Sequence, residues 1–530
     1  MPIHYTKVPP MKAVVLAALL LVQAASGQAQ TAAPAQPAEP TLDIRSFLVE
    51  GESPMSEDES RVVLAPFLGP NRRLSDIETA ATTLERAMRE RGFAFHRMFV
   101  PVQKPVDGVI RLQVIGIKLG KVEVTGNEKF TTDNIRRSLT NLQEGQVPEV
   151  KTLGRDVTAS NTNPAKQLSV TFRESAQPGL VDALVRVKDS PTLVFFAGLT
   201  GNQGVSGHAP AQNTYRLTGG IQHANLFDRD HVATVSYTTD PGNPSDVSLF
   251  GGFYQIPFYG TGFNLAAYYT KSDISSGQVQ QGAGVFDVSG SGRFIGVRLS
   301  RALTRIDTLQ QTVGVSLDNR RFENNTTFNG ALIQPDVGSR VVTLQYSFRN
   351  EPSWGELSGG LEYAVNVGGG SANSMANHAA NGGVKNWDAW RYNLEASMQA
   401  SGWQFTGKLK GQISNDALVP GEQLGLGGAS SVRGFADRVV AGDFGHHWTI
   451  EAQGPTMGDL QLRPVVFVDR GQVHTRATGA SDVLASVGTG LRFTQQNLQF
   501  ALDLAQVVDG ERARGSVRPV RLHLAMAYRF

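Results

Sequence analysis

The adjacent imidazoles of His446 and His447 are the first side chains to consider for chemistry in this 530-residue sequence. A metal site would need further ligands, and neither a nearby Cys nor a His-x-x-x-His spacing accompanies them, so they read as loop residues. Gly368-Gly369-Gly370-Ser371 lacks the following Lys-Ser/Thr of a phosphate cradle and reads as a flexible loop. There is no Gly-x-Ser-x-Gly elbow for a serine hydrolase. The chain has no cysteine, which excludes disulfides, thiolate nucleophiles and thiolate metal ligands, and is compatible with an oxidising compartment. Catalysis, metal and cofactor therefore find no support. What is left is binding chemistry. The segment Leu424 to Phe435 reads Leu-Gly-Leu-Gly-Gly-Ala-Ser-Ser-Val-Arg-Gly-Phe, and a later Phe467-x-Asp469-x-Gly471 sets a carboxylate among small and apolar residues. Taken singly, Arg433 could be a solvated loop arginine and Asp469 one polar residue among many.

The elements that must position these residues follow from composition and patterning. The chain is 40% hydrophobic and 18% charged, too apolar for disorder. A mean hydropathy of -0.19 is too polar for a bundle of membrane helices. A polar lumen alternating with a lipid-facing surface would average to such a value, and 57 glycines suit strands that curve and turn often. The net charge of +2 shows no basic stripe, so no nucleic-acid partner is expected.

Lys12 precedes an apolar run from Ala13 to Ala25, with small residues at Gly27 and Ala29. This is the pattern of a secretory signal over residues 1–29, shorter than the ~20 apolar residues of a spanning helix. An Ala, Pro and Gln linker follows, residues 30–41. No later apolar stretch is long enough for a transmembrane helix, so membrane residence would require a closed barrel.

From residue 42 the order is β-α-α-β-β: a strand at Ile44 to Val49, helices at Ser56 to Phe67 and Ser75 to Arg91, strands at Phe93 to Val100 and Val109 to Ile115. Ser75 with Glu78 has the spacing of a capping box, and Gly92 stands where a helix end favours positive φ. The same order recurs from Leu119, which predicts two α+β domains at residues 42–117 and 118–190.

From Leu193 onward the period changes to two, in segments of about ten residues, as spanning strands require. Phe263, Leu265, Ala267 and Tyr269 share one face; so do Val342, Leu344, Tyr346 and Phe348, and again Tyr392, Leu394, Ala396 and Met398. About sixteen such segments predict a transmembrane antiparallel β-barrel over residues 191–530. A soluble sandwich or propeller would have no reason to turn so many apolar residues outward. The last segment alternates up to the carboxyl end through Leu522, Leu524, Met526, Tyr528 and Phe530.

The two motifs give these elements a family resemblance. Val432-Arg433-Gly434-Phe435 resembles the tip of the sixth outer loop in the POTRA-barrel superfamily that includes the BamA-type insertases, and Phe467-x-Asp469-x-Gly471 resembles its barrel-wall motif. Two α+β repeats and about sixteen strands are most similar to its TpsB two-partner secretion transporters. Fragments of the same kind are Asn163-Pro164, Pro178-Gly179 with Asp182, Asn225-Leu226-Phe227 with Asp228 and Asp230, and Gly442-Asp443-Phe444-Gly445 leading to Glu451. The resemblance implies an inward-folding loop around residues 414–445 and a pairing of Arg433 with Asp469, for which a guanidinium fork on a carboxylate is apt. It further implies that Tyr528 and Phe530 belong to an outer-membrane assembly signal.

By the same resemblance the chain is not an enzyme. The resemblance also implies a place in the bacterial outer membrane with the POTRA domains in the periplasm, and export of a secreted TpsA-type exoprotein. Its other partners are then the outer-membrane lipids and, during biogenesis, the barrel assembly machinery. A BamA/TamA-like assembly factor is the alternative, and a small-solute porin a more remote one. TpsB proteins often carry a plug helix before the first POTRA domain. Residues 30–41 are too short and proline-rich for one, so either the loop bearing Arg433 closes the pore alone or the gating of this protein differs.

Overall fold

The computed structural model describes residues 41–530 except 208–212, 245–246, 274–276, 282–283, 289–290, 324–326, 329–330, 333, 460 and 511–518. The expected signal segment, and the linker up to its last residue, lie outside the described residues.

The first domain contains β1 (Leu42–Ile44), β2 (Ser46–Gly51), α1 (Glu57–Leu64), β3 (Gly69–Arg72), α2 (Leu74–Glu90), β4 (His96–Phe99) and β5 (Val109–Gly116). Its main sheet has the order β2-β5-β4, with β2 parallel and β4 antiparallel to the central strand. Every second residue of β5, namely Ile110, Leu112 and Val114, packs with Ile77, Leu84 and Met88 of α2, so strand and helix periods meet in one core. The second domain repeats this arrangement with β6 (Lys118–Thr125), α3 (Thr132–Ser138), α4 (Val150–Ser160), β7 (Lys166–Glu174) and β8 (Leu180–Asp189), in the order β6-β8-β7.

The caps differ from expectation in one place. Ser75 lies inside α2, and the helix starts a residue earlier because the Asp76 carboxylate accepts from the Arg73 N–H at 2.9 Å. The capping box belongs instead to α1: Ser56 Oγ accepts from the Glu59 N–H, and the Glu59 carboxylate accepts from the Ser56 N–H at 2.9 Å. Gly92 has φ +106°, and a Cβ there would sit 2.8 Å from the Lys151 side chain, so the glycine also lets the first domain abut α4 of the second. The predicted strand at Phe93 to Val100 shrinks to His96–Phe99, since Phe93 and Phe95 turn into the packing around the two cores.

From Leu193–Ser206 to Val520–Arg529 the chain forms a closed antiparallel barrel of 16 strands. The first and last strands pair from Val520↔Ser206 to Arg529↔Phe196, so no edge is left open. The barrel is inverted relative to a soluble core: Thr270, Ser316 and Thr343 are buried inside, while Leu344 and Ile450 are each 58% exposed on the outer face. Each alternation read from the sequence falls within one strand, Phe263–Ser272, Val337–Asn350 or Asp388–Ala400. Among the described residues no helix is long and apolar enough to cross a membrane. His446 and His447 are not loop residues: they lie in the twelfth strand, Phe444–Gln453, with His447 turned into the buried interior, because that strand starts immediately after the loop's buried Asp443.

Candidate functional site

The segment joining the eleventh strand, Trp403–Ile413, to the twelfth folds back into the barrel instead of standing above it. Its tip carries Val432, Arg433, Gly434 and Phe435, all of them buried. Val432 and Phe435 pack with Leu426 of the same loop and with Val473, Leu484 and Val507 of the wall. Apolar burial thus sets the loop's depth and leaves Arg433 facing a wall where only a charged acceptor can compensate its desolvation.

That acceptor is Asp469 on the thirteenth strand, Arg463–His474. Arg433 Nε donates to Asp469 Oδ2 at 2.7 Å and a terminal nitrogen donates to Oδ1 at 2.9 Å, a bidentate fork. The Arg433 backbone N–H donates to Oδ2 as well, at 3.1 Å, so the carboxylate holds main chain and side chain together. The remaining guanidinium nitrogen reaches Glu451 at 3.0 Å on the twelfth strand and Asp503 at 3.1 Å on the fifteenth. The guanidinium carbon lies 3.3 Å from the Phe467 ring centroid, a cation–π contact. Arg492 donates to both Asp503 and Glu451, so two guanidiniums face three carboxylates.

The glycines of the two motifs have different duties. Gly434 adopts φ +92° and donates its N–H to His523 Nε2 on the last strand at 2.9 Å. Gly471 is needed for close approach: a Cβ there would lie 2.8 Å from Leu426 and 3.2 Å from Val432, where the loop rests on the wall. Just past the tip, the carbonyl of Phe435 accepts from Asn202 of the first strand at 3.3 Å, so the loop touches both sides of the closing seam.

The base of the loop has a second anchor that sequence reasoning missed. Glu422 accepts from Arg320 of the seventh strand at 2.8 Å and from Arg391 of the tenth at 3.0 Å, and its side chain is fully buried. Arg320 also donates to Asp318 at 3.1 Å, and Asp318 accepts from the Tyr268 hydroxyl. Asp443 closes the loop by accepting from the Leu418 N–H at 2.8 Å and from Gln423 at 3.0 Å. Beside the loop a lumen cavity of about 850 Å³ remains, with Arg298, Lys410 and Glu362 in its lining. Asp503, His523, Glu422, Arg320 and Arg391 carry no motif of their own. For the four on strands the only signal is a charged or imidazole side chain at a position the alternation assigns to the interior, and Glu422, in the loop, has none.

The terminal residues stand apart from the lumen. Tyr528 and Phe530 meet edge to face with centroids 4.8 Å apart on the outer surface, and the Phe530 N–H donates to the carbonyl of Phe195 at 2.8 Å. Among the described residues no group of three His, Asp or Glu side chains could hold a metal.

Comparison with known proteins identifies the family that shares this fold. The model of the family "Haemolysin secretion/activation protein ShlB/FhaC/HecB" matches residues 200–493, and that of the "POTRA domain, ShlB-type" matches residues 42–116. The outer membrane transporter CdiB of Dickeya dadantii (strain 3937) is 23% identical over 449 residues, 82% of this chain and 77% of that protein. The Heme/hemopexin transporter protein HuxB of Haemophilus influenzae (strain 86-028NP) is 19% identical over 457 residues, 82% of this chain and 78% of that protein. Among solved structures, CdiB from Escherichia coli superposes with a TM-score of 0.75 at 17% identity, covering 94% of this chain and 93% of that one. The family model alone spans more than half of the chain and includes the loop, the Asp469 strand and most of the barrel. The chain therefore belongs to the ShlB/FhaC/HecB haemolysin secretion/activation family and is an outer-membrane transporter of the two-partner secretion type.

Proposed function

We propose that residues 42–117 and 118–190 act as periplasmic POTRA domains that capture an unfolded TpsA-type exoprotein, that residues 1–29 are the secretory signal followed by a linker at 30–41, and that the barrel of residues 191–530 passes the client to the cell surface. In this reading Val432, Arg433, Gly434 and Phe435, held by Phe467, Asp469 and Gly471, keep the loop in the lumen at rest. Tyr528 and Phe530 serve recognition by the barrel assembly machinery, and the outer apolar band faces the lipid.

A groove at the barrel mouth carries this reading. The strand β7 is a sheet edge with no strand partner on its outer side among the described residues. It borders a cavity of about 580 Å³ lined by Leu153, Val157, Val170 and Phe172 of the second domain and by Gln311 and Phe348 of the barrel. An extended client segment can add to such an edge through its main chain and place alternate side chains in the groove. Folding of the client outside, where it can bury its own surface, then gives transport a direction without a nucleotide.

The test is Val157→Asp, which puts an unpaired charge in the groove. Secretion of a co-expressed TpsA-type exoprotein should fall at least about tenfold, with the amount of assembled barrel unchanged. Undiminished secretion overturns the reading, and a fall in unrelated outer-membrane barrels would point to an assembly factor instead.

A further inference from the structure

Where the second domain meets the barrel, the structure buries an ion pair that export by itself does not explain. Lys166, the first residue of β7, donates to Asp230 Oδ2 at 2.5 Å, and the two side chains are 0% and 1% exposed. Asp230 lies in the turn between the second barrel strand, Thr214–Leu226, and the third, His231–Thr239. The pair is enclosed by polar groups and by the Phe130 ring, 5.0 Å from the ammonium. Asn134 of α3 accepts from Lys166 at 3.0 Å and donates to Asp230 Oδ1 at 3.0 Å, and the Tyr259 hydroxyl, from the next periplasmic turn, donates to Asp230.

The barrel turn is shaped to fit this cluster. Phe227, Asp228 and Asp230 all adopt left-handed backbone angles of +52° to +61°, which aspartate takes readily in turns but a bulky residue such as Phe227 takes rarely. Groups of both domains hold the turn: Asn225 Oδ1 accepts from the Asp230 N–H at 3.0 Å, and the Asp228 carbonyl accepts from Asn134 at 2.9 Å and from Arg137 at 3.0 Å. Packing continues across the same joint, since Ala224 of the barrel strand is part of the second domain's hydrophobic core and its carbonyl accepts from Asn163 at 2.6 Å. A domain meant to swing freely would be joined by an exposed and sparsely bonded linker.

We infer that Lys166, Asp230 and Asn134 are positioning residues that keep the second POTRA domain docked on the barrel rim throughout export, so that the α4–β7 groove presents its client at one fixed place beside the mouth. The inference rests on the export reading above, because the groove matters only if a client enters it. Lys166 itself begins the edge strand β7, so the pair that fixes the domain also fixes the register of the capture edge against the barrel.

The absence of cysteine makes a direct test available. A Cβ built on Gly260, in the turn after the fourth strand, lies 3.6 Å from the Cβ of Thr140 in the second domain. That separation is within the ~3.5 to 4.5 Å of disulfides. Thr140→Cys with Gly260→Cys therefore bridges the joint without replacing a member of the cluster, and the reduced double variant is the control for strain at Gly260, which has φ +80° and follows Tyr259. Secretion of a co-expressed TpsA-type exoprotein is compared with the bridge oxidised and reduced, alone and combined with Lys166→Met. The oxidised chain should export within about twofold of the reduced one, Lys166→Met alone should lose at least about tenfold, and the bridge should restore most of that loss. Export abolished by the bridge and recovered on reduction overturns the proposal, because the domain would have to undock. A Lys166→Met loss that the bridge does not repair also overturns it, since the pair would then act on folding and not on position. No export from the cysteine-free parent would overturn the export reading, and the positioning role with it.

Discussion

Glu422 and Arg320 meet at 2.8 Å across the interior of the barrel, one from the base of the inward loop and the other from the seventh strand. The loop is consequently held by ion pairs at three places, by Glu422 on the seventh and tenth strands, by Arg433 on the twelfth, thirteenth and fifteenth, and by Asp437 on Arg216 of the second. Releasing it requires breaking all of them.

The base anchor is tested by Glu422→Gln. A neutral amide leaves Arg320 and Arg391 facing each other without their shared charge, and breaking a buried pair from one side costs about 3 to 5 kcal/mol. The expected outcome is a larger single-channel conductance in planar bilayers and faster proteolysis within residues 414–443. Unchanged conductance and protection would show that the tip alone holds the loop.

At the tip, Arg433→Lys keeps the charge but loses the fork on Asp469 and the stack on Phe467. Export should drop at least about tenfold while the barrel still assembles, and Phe467→Ala should fall between this and the parent chain. A charge swap, Arg433→Asp with Asp469→Arg, is not expected to restore export although the contact is direct. Asp at 433 would confront Glu451 and Asp503, which the native arginine also serves. A double-mutant cycle with Arg433→Met and Asp469→Asn avoids this repulsion and should show a coupling of about 1 to 3 kcal/mol in thermal stability. Additivity within experimental error would refute an energetic link.

Gly471→Ala tests close approach without touching charge. The new methyl would lie 2.8 Å from Leu426 and 3.0 Å from the Cβ of His447, so the loop must lift or the wall must bend. Overpacking of this kind costs about 1 to 3 kcal/mol. Conductance should rise as it does for Glu422→Gln, with smaller amplitude, and a melting temperature equal to that of the parent would contradict the contact.

The first domain should lose stability in acid. His96 is 7% exposed at the start of β4, and burial lowers its pKa below the ordinary imidazole value, against a smaller opposing pull from the Glu52 carboxylate. Protons then bind the unfolded form more readily, so stability is full at neutral pH and declines as pH falls through about 6.5 toward the lower folded value. Amide exchange across β4 and β5 should quicken between pH 7.5 and 5.5 in the intact chain, and His96→Gln should flatten the dependence. The same slope in the variant would assign it elsewhere.

Local periodicity and short motifs determined much of this protein on their own. The change from a mixed α and β pattern to strict alternation marks where the barrel begins, because lipid and lumen impose opposite polarity on successive residues. Arg433, Asp469 and their glycines are legible as motifs because each satisfies several constraints within a few residues. Cap geometry was legible only in part: Ser75 with Glu78 had the right spacing, but Asp76 competed for the helix start and Ser56 with Glu59 held the box.

Apart from Arg433 with Asp469, which the motifs implied, the tertiary structure alone decided which charges meet. Glu422 and Arg320 are 102 residues apart, Lys166 and Asp230 are 64 apart, and Arg433 and Asp503 are 70 apart. A period-two pattern states that a side chain points inward but not which strand it will face. That choice depends on barrel register and on how deep the loop descends, which the apolar seats of Val432 and Phe435 set. The sequence thus named the loop and one of its partners, whereas closure of the sheet brought the other carboxylates to Arg433 and built the second anchor at Glu422.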